Sequence, residues 1–405
     1  MERGNKAKIA QQLLSSKSRA RQSAGCGTIR LNRGGHLKLI VQPGDGVAPL
    51  VKGIGKARKS VEIAIFRLDR TEIERALEDA VKRGVLVHAL IGGAEAGGAA
   101  TRRLEGQLLE KGVTVARTSD DLVRYHGKMI IVDRAELYVL AFNFTYLDIE
   151  HSRSFGVITR NRQLVQEAVR LFEADVRRQP YVPGSNRFLV SPLNARKQLA
   201  RFIKGARREL IVYDQRVSDR AMIHLLEECA RAGVDIRIIG QVSRKRTHLA
   251  VRALPQLRLH TRTMVRDRHQ VFLGSQSLRE LELDARREIG VIFHDPGTVN
   301  TLVKTFEEDW AAAEIPEAVP ARKDAGAPAT RAAKEVAKAV ARDLPPVAPV
   351  VEEVVRQVVG NSAGVDLDRK EVEETVKDAV REAVRDAVKG MVEEAVEEKK
   401  PARPR

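Results

Sequence analysis

The sequence predicts an α/β protein in which two fused lobes, each a mixed β-sheet flanked by helices, are followed by a helical or disordered C-terminal tail. The first observation is an internal repeat, because Gln42–Pro43 and Ser191–Pro192 are 149 residues apart, as are Gly84 and Gly233. The second is an alternation of apolar strand-like runs with helical patterns in both halves, which is typical of a sheet covered by helices. The third is a change of composition beyond Ile315. A long repeat that occurs twice indicates two fused domains and not a solenoid.

Lobe 1, residues 36–178, begins with βα units and continues with strands. Runs rich in Val, Ile and Leu predict strands at Leu37–Val41, Val61–Phe66, Val85–Ile91, Met129–Val132, Tyr138–Phe142 and Phe155–Ile158. Helical periodicity predicts helices at Ala48–Ala57, Arg70–Lys82 and Leu164–Val176. No helix is expected between the last three strands. Lobe 1 is also expected to carry an insertion within Ile91–Arg117.

Composition and the repeat set the boundaries around lobe 2. Residues 179–186 contain two prolines and a glycine and form a linker. Lobe 2 covers residues 187–315, repeats the plan of lobe 1 and ends in a helix at Val299–Ala313. Residues 1–35 form a basic arm.

The C-terminal region predicts a linker and a charged helical segment. Residues 316–349 are rich in Pro and Ala and form the linker, and residues 350–405 form the tail. Valines recur every four residues from Val372 to Val396, a spacing at which an apolar stripe winds around a helix. The tail is therefore either a charged appendage with partial helicity or a helix that binds a partner or a second copy of the chain.

A short motif occurs once in each lobe. The pattern H-x-[KR]-x4-D is formed by His126, Lys128 and Asp133 and again by His260, Arg262 and Asp267. Residues two apart on a strand point to the same face, so each imidazole and cation would share a site. An imidazole can attack phosphorus or transfer protons near neutral pH, and the cation can bind phosphate oxygens. The two motifs therefore predict a phosphate-directed site.

The paired motifs resemble those of the phospholipase D superfamily, and the resemblance extends over roughly Leu37–Ala313. The family's motif continues into G-S-x-N, of which lobe 1 keeps Asn143 and lobe 2 keeps Gly274-Ser275. The family often has a carboxylate in an R-E-x-G-V strand that orients the motif histidine. Glu288 is in this position in lobe 2, whereas lobe 1 has Ser154, and each lies 28 residues after its histidine.

The resemblance implies a role for each motif residue. His126 and His260 would be the nucleophile and the general acid/base, in an order that the sequence leaves open. Glu288 would accept a hydrogen bond from His260. The side chains expected to bind the substrate phosphate are Lys128, Asn143, Arg262 and Ser275. Asp133 and Asp267, although part of the catalytic motif, are expected to support it structurally. The implied reaction passes through a phosphohistidine and uses no metal or other cofactor.

The charge of the chain is unevenly distributed. The net charge is +17, and residues 317–405 hold 17 Lys/Arg and 18 Asp/Glu, so residues 1–316 carry +18. A region this basic attracts nucleic acid or an anionic membrane surface. The two cysteines form no disulfide framework, and neither a signal peptide nor a transmembrane run is recognisable. A cytoplasmic protein, in contact with a membrane only from its side, is therefore expected.

Three functional hypotheses follow. The favoured one is a phospholipase D-like phosphodiesterase that hydrolyses a phospholipid or transfers a phosphatidyl group. The second is a metal-independent nuclease of the same superfamily that acts on DNA or RNA. The third is a catalytically weak protein that binds phosphate or polyanions, because Ser154, Ser277 and Arg262 depart from the family pattern.

Overall fold

The computed structural model describes residues 37–92, 99–119, 121–243 and 247–314. The basic arm, the Pro/Ala-rich linker and the charged tail lie outside these residues, and their assignments stay predictions. Both lobes belong to the same compact unit.

The described residues form seventeen strands and nine helices. The strands are β1 (Lys38–Gln42), β2 (Ser60–Ile65), β3 (Leu86–Ile91), β4 (Thr114–Arg117), β5 (Arg124–Tyr125), β6 (Met129–Val132), β7 (Glu136–Leu140), β8 (Ser152–Thr159), β9 (Phe188–Val190), β10 (Glu209–Val217), β11 (Asp235–Val242), β12 (Ala250–Arg252), β13 (Arg258–Leu259), β14 (Arg262–Arg266), β15 (Gln270–Gly274), β16 (Arg286–Arg287) and β17 (Ile289–Phe293). The helices are α1 (Ala48–Gly55), α2 (Thr71–Lys82), α3 (Ala99–Glu110), α4 (Tyr146–Glu150), α5 (Arg162–Arg177), α6 (Ala195–Lys204), α7 (Arg220–Arg231), α8 (Glu280–Asp284) and α9 (Pro296–Ala312).

Each lobe contains one mixed sheet, and the two sheets have the same strand order. The first runs β1-β8-β7-β6-β2-β3-β4, and the second runs β9-β17-β15-β14-β10-β11-β12. Strands β2, β3 and β4 are parallel, as are β10, β11 and β12, and the other neighbours along each sheet are antiparallel. The predicted fold class of two related α/β lobes is therefore confirmed.

A shared hydrophobic core joins the two lobes. Apolar side chains from β6, β7 and β8 of lobe 1 and from β14, β15 and β17 of lobe 2 form one cluster with the long helices α5 and α9. Phe155, Phe172, Phe188 and Phe306 are almost fully buried in it. Each lobe also has one core of its own, which lies between its sheet and the helices on the other face of that sheet. Burial of this much apolar surface is the main favourable contribution to folding, so the lobes stabilise each other.

Two short strands connect each lobe to the other. β5, from lobe 1, pairs with β16 of lobe 2, and β13, from lobe 2, pairs with β8 of lobe 1. Both pairings are parallel, and both strands immediately precede a motif histidine. The two crossings therefore bring the motifs of the two lobes to their common boundary.

Most predicted elements of lobe 1 lie within a few residues of their expected positions, and Met129–Val132 has the expected bounds. The predicted insertion contains α3, which extends lobe 1 by one helix, and β4, which corresponds to β12 of lobe 2. The expectation that no helix interrupts the later strands is wrong, because α4 lies between β7 and β8. Among the described residues, every helix falls short of the length and hydrophobicity that a membrane span requires.

Candidate active site

Each motif histidine lies where its own chain segment pairs with the other lobe. His126 follows β5, and its backbone N–H donates to the carbonyl of Arg287 at 2.7 Å. His260 follows β13, and its backbone N–H donates to the carbonyl of Arg153 at 3.0 Å. Both imidazoles are buried. The backbone of each histidine is therefore fixed by the lobe to which the histidine does not belong.

The His126 imidazole is held by a carboxylate from lobe 2. Its Nδ1 lies 3.0 Å from both oxygens of Glu288, and the Nζ atom of Lys128 lies 2.8 Å from its Nε2. The ring of Phe66 packs edge-on against it, with 4.6 Å between the ring centroids. The assignment of Glu288 to His260 is therefore wrong, because β16, which ends immediately before Glu288, pairs with β5 of lobe 1.

The His260 imidazole faces a carboxylate that the sequence interpretation missed. Its Nδ1 lies 3.2 Å from Oδ2 of Asp148, which belongs to α4. Ser154, in place of the expected acid, donates its hydroxyl to the backbone carbonyl of His260 at 2.6 Å. Asp148 and Glu282 are 134 residues apart, the same offset as the two histidines. An acidic residue at this position in both lobes was therefore the signal that could have identified Asp148.

Two buried cations accompany the histidines. The side chain of Lys128 is fully buried, and burial lowers its pKa to about 7, although the charge of Glu288 opposes this. Burial also disfavours the charge of Arg262, but Glu282 and Asp214 outweigh this effect and raise its pKa. The Nε and Nη1 atoms of Arg262 have no hydrogen-bond partner among the described residues. These two N–H groups can therefore donate to an anionic ligand.

The electrostatic environment keeps both imidazoles neutral. Burial lowers the pKa of His126 well below its usual value, and the charges of Lys128 and Arg262 lower it further. Burial likewise lowers the pKa of His260; Asp148 opposes this, whereas Arg262 adds to it. Because cations of both lobes act on both histidines, the two motifs form one site.

Asn143 and Ser275 both lie at the site but already have protein partners. The backbone N–H and the Nδ2 of Asn143 each donate to Oδ2 of Asp148 at 2.8 Å, while Oδ1 has no partner in the described part of the chain. The hydroxyl of Ser275 accepts from the N–H of Ile289 at 3.1 Å. Binding of substrate phosphate by these two side chains stays a prediction.

The motif aspartates hold the hairpins that follow the histidines. Asp133 and Asp267 both have φ 52° and begin tight turns, a backbone region that Asp tolerates better than most residues. The Asp133 carboxylate accepts three backbone N–H groups at 2.7–3.1 Å, from Arg58, Lys59 and Ser60. The Asp267 carboxylate accepts three at 2.7–3.1 Å, from Arg207, Arg208 and Glu209. These contacts tie each motif to the start of the neighbouring strand.

The arrangement provides the groups that phosphoryl transfer needs. One neutral imidazole can act as a nucleophile, and the second can exchange a proton with the leaving or attacking oxygen. The cations at Lys128 and Arg262 can neutralise the developing negative charge. Within residues 37–92, 99–119, 121–243 and 247–314, no three His, Cys, Asp or Glu side chains converge where a metal ion could bind.

Known proteins share both the sequence and the fold of this region. A family model described as the PLD-like domain of cardiolipin synthase matches residues 50–176 and 199–310. The mitochondrial cardiolipin hydrolase of Danio rerio is 29% identical over 136 residues, which are 31% of this chain. The chain spans 56% of the length of that curated relative.

Two solved structures have a similar fold. The polyphosphate kinase of Porphyromonas gingivalis superposes with a TM-score of 0.58 and 18% identity, over 68% of this chain and 47% of the kinase. The phosphatidylserine synthase of Haemophilus influenzae superposes with a TM-score of 0.53 and 12% identity, over 75% of this chain and 93% of the synthase. At these identities the two likenesses support the fold alone. Because the two stretches matched by the family model cover more than half of the sequence, the chain belongs to the phospholipase D superfamily.

Proposed function

We propose that the chain cleaves or exchanges the phosphodiester of a phospholipid through a phosphohistidine intermediate. The observation that carries this proposal is the pairing of His126 and His260, each beside a buried carboxylate and both under the influence of Lys128 and Arg262. A phosphodiester resists attack because its anionic oxygens repel nucleophiles. Two buried cations at the phosphorus offset this repulsion and stabilise the transition state.

The reaction would proceed in two steps. In the first, a ring nitrogen of one histidine forms a bond to phosphorus, the bond from phosphorus to the leaving oxygen breaks, and the other histidine protonates that oxygen. In the second, water or an alcohol attacks phosphorus, the phosphorus–nitrogen bond breaks, and the second histidine takes the proton back. Glu288 contacts Nδ1 of His126, so Nε2, which faces Nζ of Lys128 at 2.8 Å, would be the attacking nitrogen once Lys128 donates to the phosphate instead. Nε and Nη1 of Arg262 would donate to the phosphate oxygens.

The relatives favour a lipid as the substrate. The family model is named for cardiolipin synthase, and the curated relative is a cardiolipin hydrolase. The alternative is a metal-independent nuclease, which the charge of +18 on residues 1–316 favours because nucleic acids bind basic surfaces. The same charge would attract an anionic membrane surface.

The substrate class can be tested with one set of assays. Purified protein is incubated, with EDTA present, with vesicles of fluorescent anionic phospholipid and with labelled single- and double-stranded DNA. We expect turnover of the lipid, and a loss of about 1000-fold or more in both His126→Ala and His260→Ala. His269→Ala is the matched control, because His269 is an exposed histidine of a lobe 2 turn and its loss should leave turnover unchanged. DNA cleavage that depends on both motif histidines, without lipid turnover, would establish the nuclease instead.

The covalent intermediate needs a separate experiment. Turnover is quenched with base, because a phosphohistidine is labile in acid and stable in base, and the modified residue is mapped by mass spectrometry. We expect phosphate on one of the two motif histidines. Failure to detect an adduct on either histidine under any quench would contradict the mechanism.

A further inference from the structure

The two histidines are supported by different kinds of carboxylate. His126 is supported by Glu288, the acid of the R-E-x-G-V strand, and lobe 1 has Ser154 at the corresponding position. His260 would therefore lack an acidic partner if the strand were its sole source. Asp148 supplies one from α4, with Oδ2 3.2 Å from Nδ1 of His260, and its side chain is buried.

The Asp148 carboxylate is held in place by several contacts. Thr145, at the N-cap of α4, accepts the backbone N–H of Asp148 at 3.3 Å and so fixes the first turn. Asn143 donates its backbone N–H and its Nδ2 to Oδ2, and Arg258 donates to Oδ1. This last contact joins the lobes, because Arg258 belongs to β13, which leads into His260. Asp148 is thus bound to the same strand that positions His260.

The corresponding residue of lobe 2 has a different role. Glu282 is equivalent to Asp148 by the offset of 134 residues, and its Oε2 accepts the backbone N–H of Ser277 at 2.7 Å, as Asp148 accepts that of Asn143. The other oxygen of Glu282 faces three arginines at 3.5–3.7 Å, which are Arg262, Arg279 and Arg286. The acidic residue at this position of the fold therefore contacts a histidine when it belongs to lobe 1 and arginines when it belongs to lobe 2.

We propose that Asp148 is the positioning residue of His260 and that it makes His260 the histidine that transfers the proton, so that His126 attacks phosphorus. This inference rests on the proposed phosphodiesterase function. When the anionic phosphate binds, Nε2 of His260 takes up a proton from solvent and the ring becomes an imidazolium; this proton moves to the leaving oxygen as it departs, while Asp148 accepts from Nδ1–H and orients the ring. In the second step the attacking water returns a proton to Nε2. The contact between Nδ1 and Asp148 is not aligned as a hydrogen bond without substrate, and such contacts commonly tighten when substrate binds.

The charges around the two rings support this division of roles. Burial opposes the charge of Asp148, but Arg258 and the protonated form of His260 outweigh it and hold the pKa of Asp148 below its usual value, so Asp148 stays anionic. Burial raises the pKa of Glu288, against the charge of Lys128. Nζ of Lys128 lies 2.8 Å from Nε2 of His126 and disfavours an imidazolium there, whereas Asp148, 3.2 Å from Nδ1 of His260, favours one. The ring beside Asp148 is therefore better suited to carry a proton, and the ring beside Glu288 is better suited to attack.

The leaving group of the substrate tests the proposal. Nitrophenolate departs without a proton, whereas an alkoxide needs one, so loss of the general acid should affect only the alkoxide. We compare a p-nitrophenyl phosphodiester with a matched phosphodiester of an alkanol, and measure phosphohistidine formation in a single turnover. We expect Asp148→Asn to slow this step by about 100-fold for the alkanol and by less than about 5-fold for nitrophenol.

Two variants separate positioning from simple structural support. Thr145→Ala removes the cap of the same helix but keeps the Asp148 carboxylate and its contacts with Asn143 and Arg258, so it should leave the ratio of the two rates close to that of the wild type. Asp148→Glu keeps the carboxylate and should restore much of the rate for the alkanol ester relative to the rate for the p-nitrophenyl ester. This variant also tests the proposal if Asp148→Asn does not fold. Equal slowing of both substrates by Asp148→Asn, or a leaving-group dependence in Glu288→Gln instead, would overturn the proposal.

A measurement without turnover keeps the inference separate from the proposed function. In protein labelled with ¹⁵N-histidine, the NMR shifts of His260 report which ring nitrogen carries the proton. We expect the tautomer with the proton on Nδ1, and we expect Asp148→Asn to change this signal while that of His126 stays in place. An unchanged His260 signal would overturn the role of Asp148. A wild-type protein that cleaves no phosphodiester, but shows the expected NMR change, would instead refute the proposed function alone.

Discussion

Exchange of the buried lysine for arginine should remove one ionisation from the pH dependence of activity. Burial lowers the pKa of Lys128 to about 7, so the free enzyme loses this cation as the pH rises through 7. An arginine at this position stays charged throughout, because its pKa exceeds about 12. The ratio of kcat/KM in the wild type to that in Lys128→Arg should therefore be constant below pH 6. Above pH 7 it should fall about tenfold per pH unit, to roughly one hundredth at pH 9.

The ratio is more informative than either profile alone. Both proteins contain the same two histidines, whose own ionisations cancel in the ratio, and kcat/KM reports groups of the free enzyme. The assay is initial-rate hydrolysis of a soluble p-nitrophenyl phosphodiester between pH 5.5 and 9.5. Arg262→Lys is the reciprocal control, because it adds a titratable cation, and its ratio should change in the opposite direction. A ratio for Lys128→Arg that stays flat from pH 6 to 9 would show that the charge of Lys128 is not needed.

Three further predictions concern the motif aspartates, the C-terminal region and the choice of polyanion. Asp133→Asn and Asp267→Asn should each lower the free energy of unfolding, measured in urea, by about 1–2 kcal/mol, because backbone N–H groups lose a charged acceptor. The kcat of both variants should change little. A large fall in kcat without a loss of stability would give the two aspartates a catalytic role. A chain that ends at Ala318 should keep its specific activity, and its Tm should stay within a few degrees of that of the full chain, because it retains the backbone pairing of Ala253 with Glu314. Aggregation of the shortened chain would contradict this prediction. The logarithm of the affinity for DNA should fall linearly with the logarithm of the salt concentration. At physiological salt, anionic vesicles should inhibit hydrolysis of a small phosphodiester more strongly than duplex DNA does. Stronger inhibition by DNA would favour the nuclease.

The sheets and the motifs could be predicted because their signals are local. The strand Met129–Val132 is a continuous apolar run, and its bounds could be predicted without any knowledge of its neighbours. The H-x-[KR]-x4-D spacing likewise lies within a single turn and strand. The short helix α4 could not be predicted, because five residues give no helical periodicity. Its formation depends on the cap by Thr145 and on the tertiary contacts of Asp148.

The partners of the histidines could not be predicted because they depend on long-range pairing. Glu288 and His260 are 28 residues apart in one lobe, and this register suggested that they interact. The actual partner of Glu288 is His126, 162 residues away, because β5 crosses to lobe 2 and pairs with β16. Sequence correspondence between repeats identifies equivalent residues, but it does not say whether two of them meet within one lobe or across the boundary.

The two crossings have a consequence for the relation between the lobes. His126 depends on a carboxylate of lobe 2, and His260 depends on a carboxylate of lobe 1. Because each acid supports the histidine of the other lobe, the two histidines have separate supports, and one support can change without affecting the other. The exchange of the expected acid for Ser154 therefore alters only His260, and α4 can supply Asp148 in its place. A single lobe would contain a histidine without its acid and half of a core that needs Phe155 and Phe188 together. The candidate site and the central core are thus both built from the two lobes together.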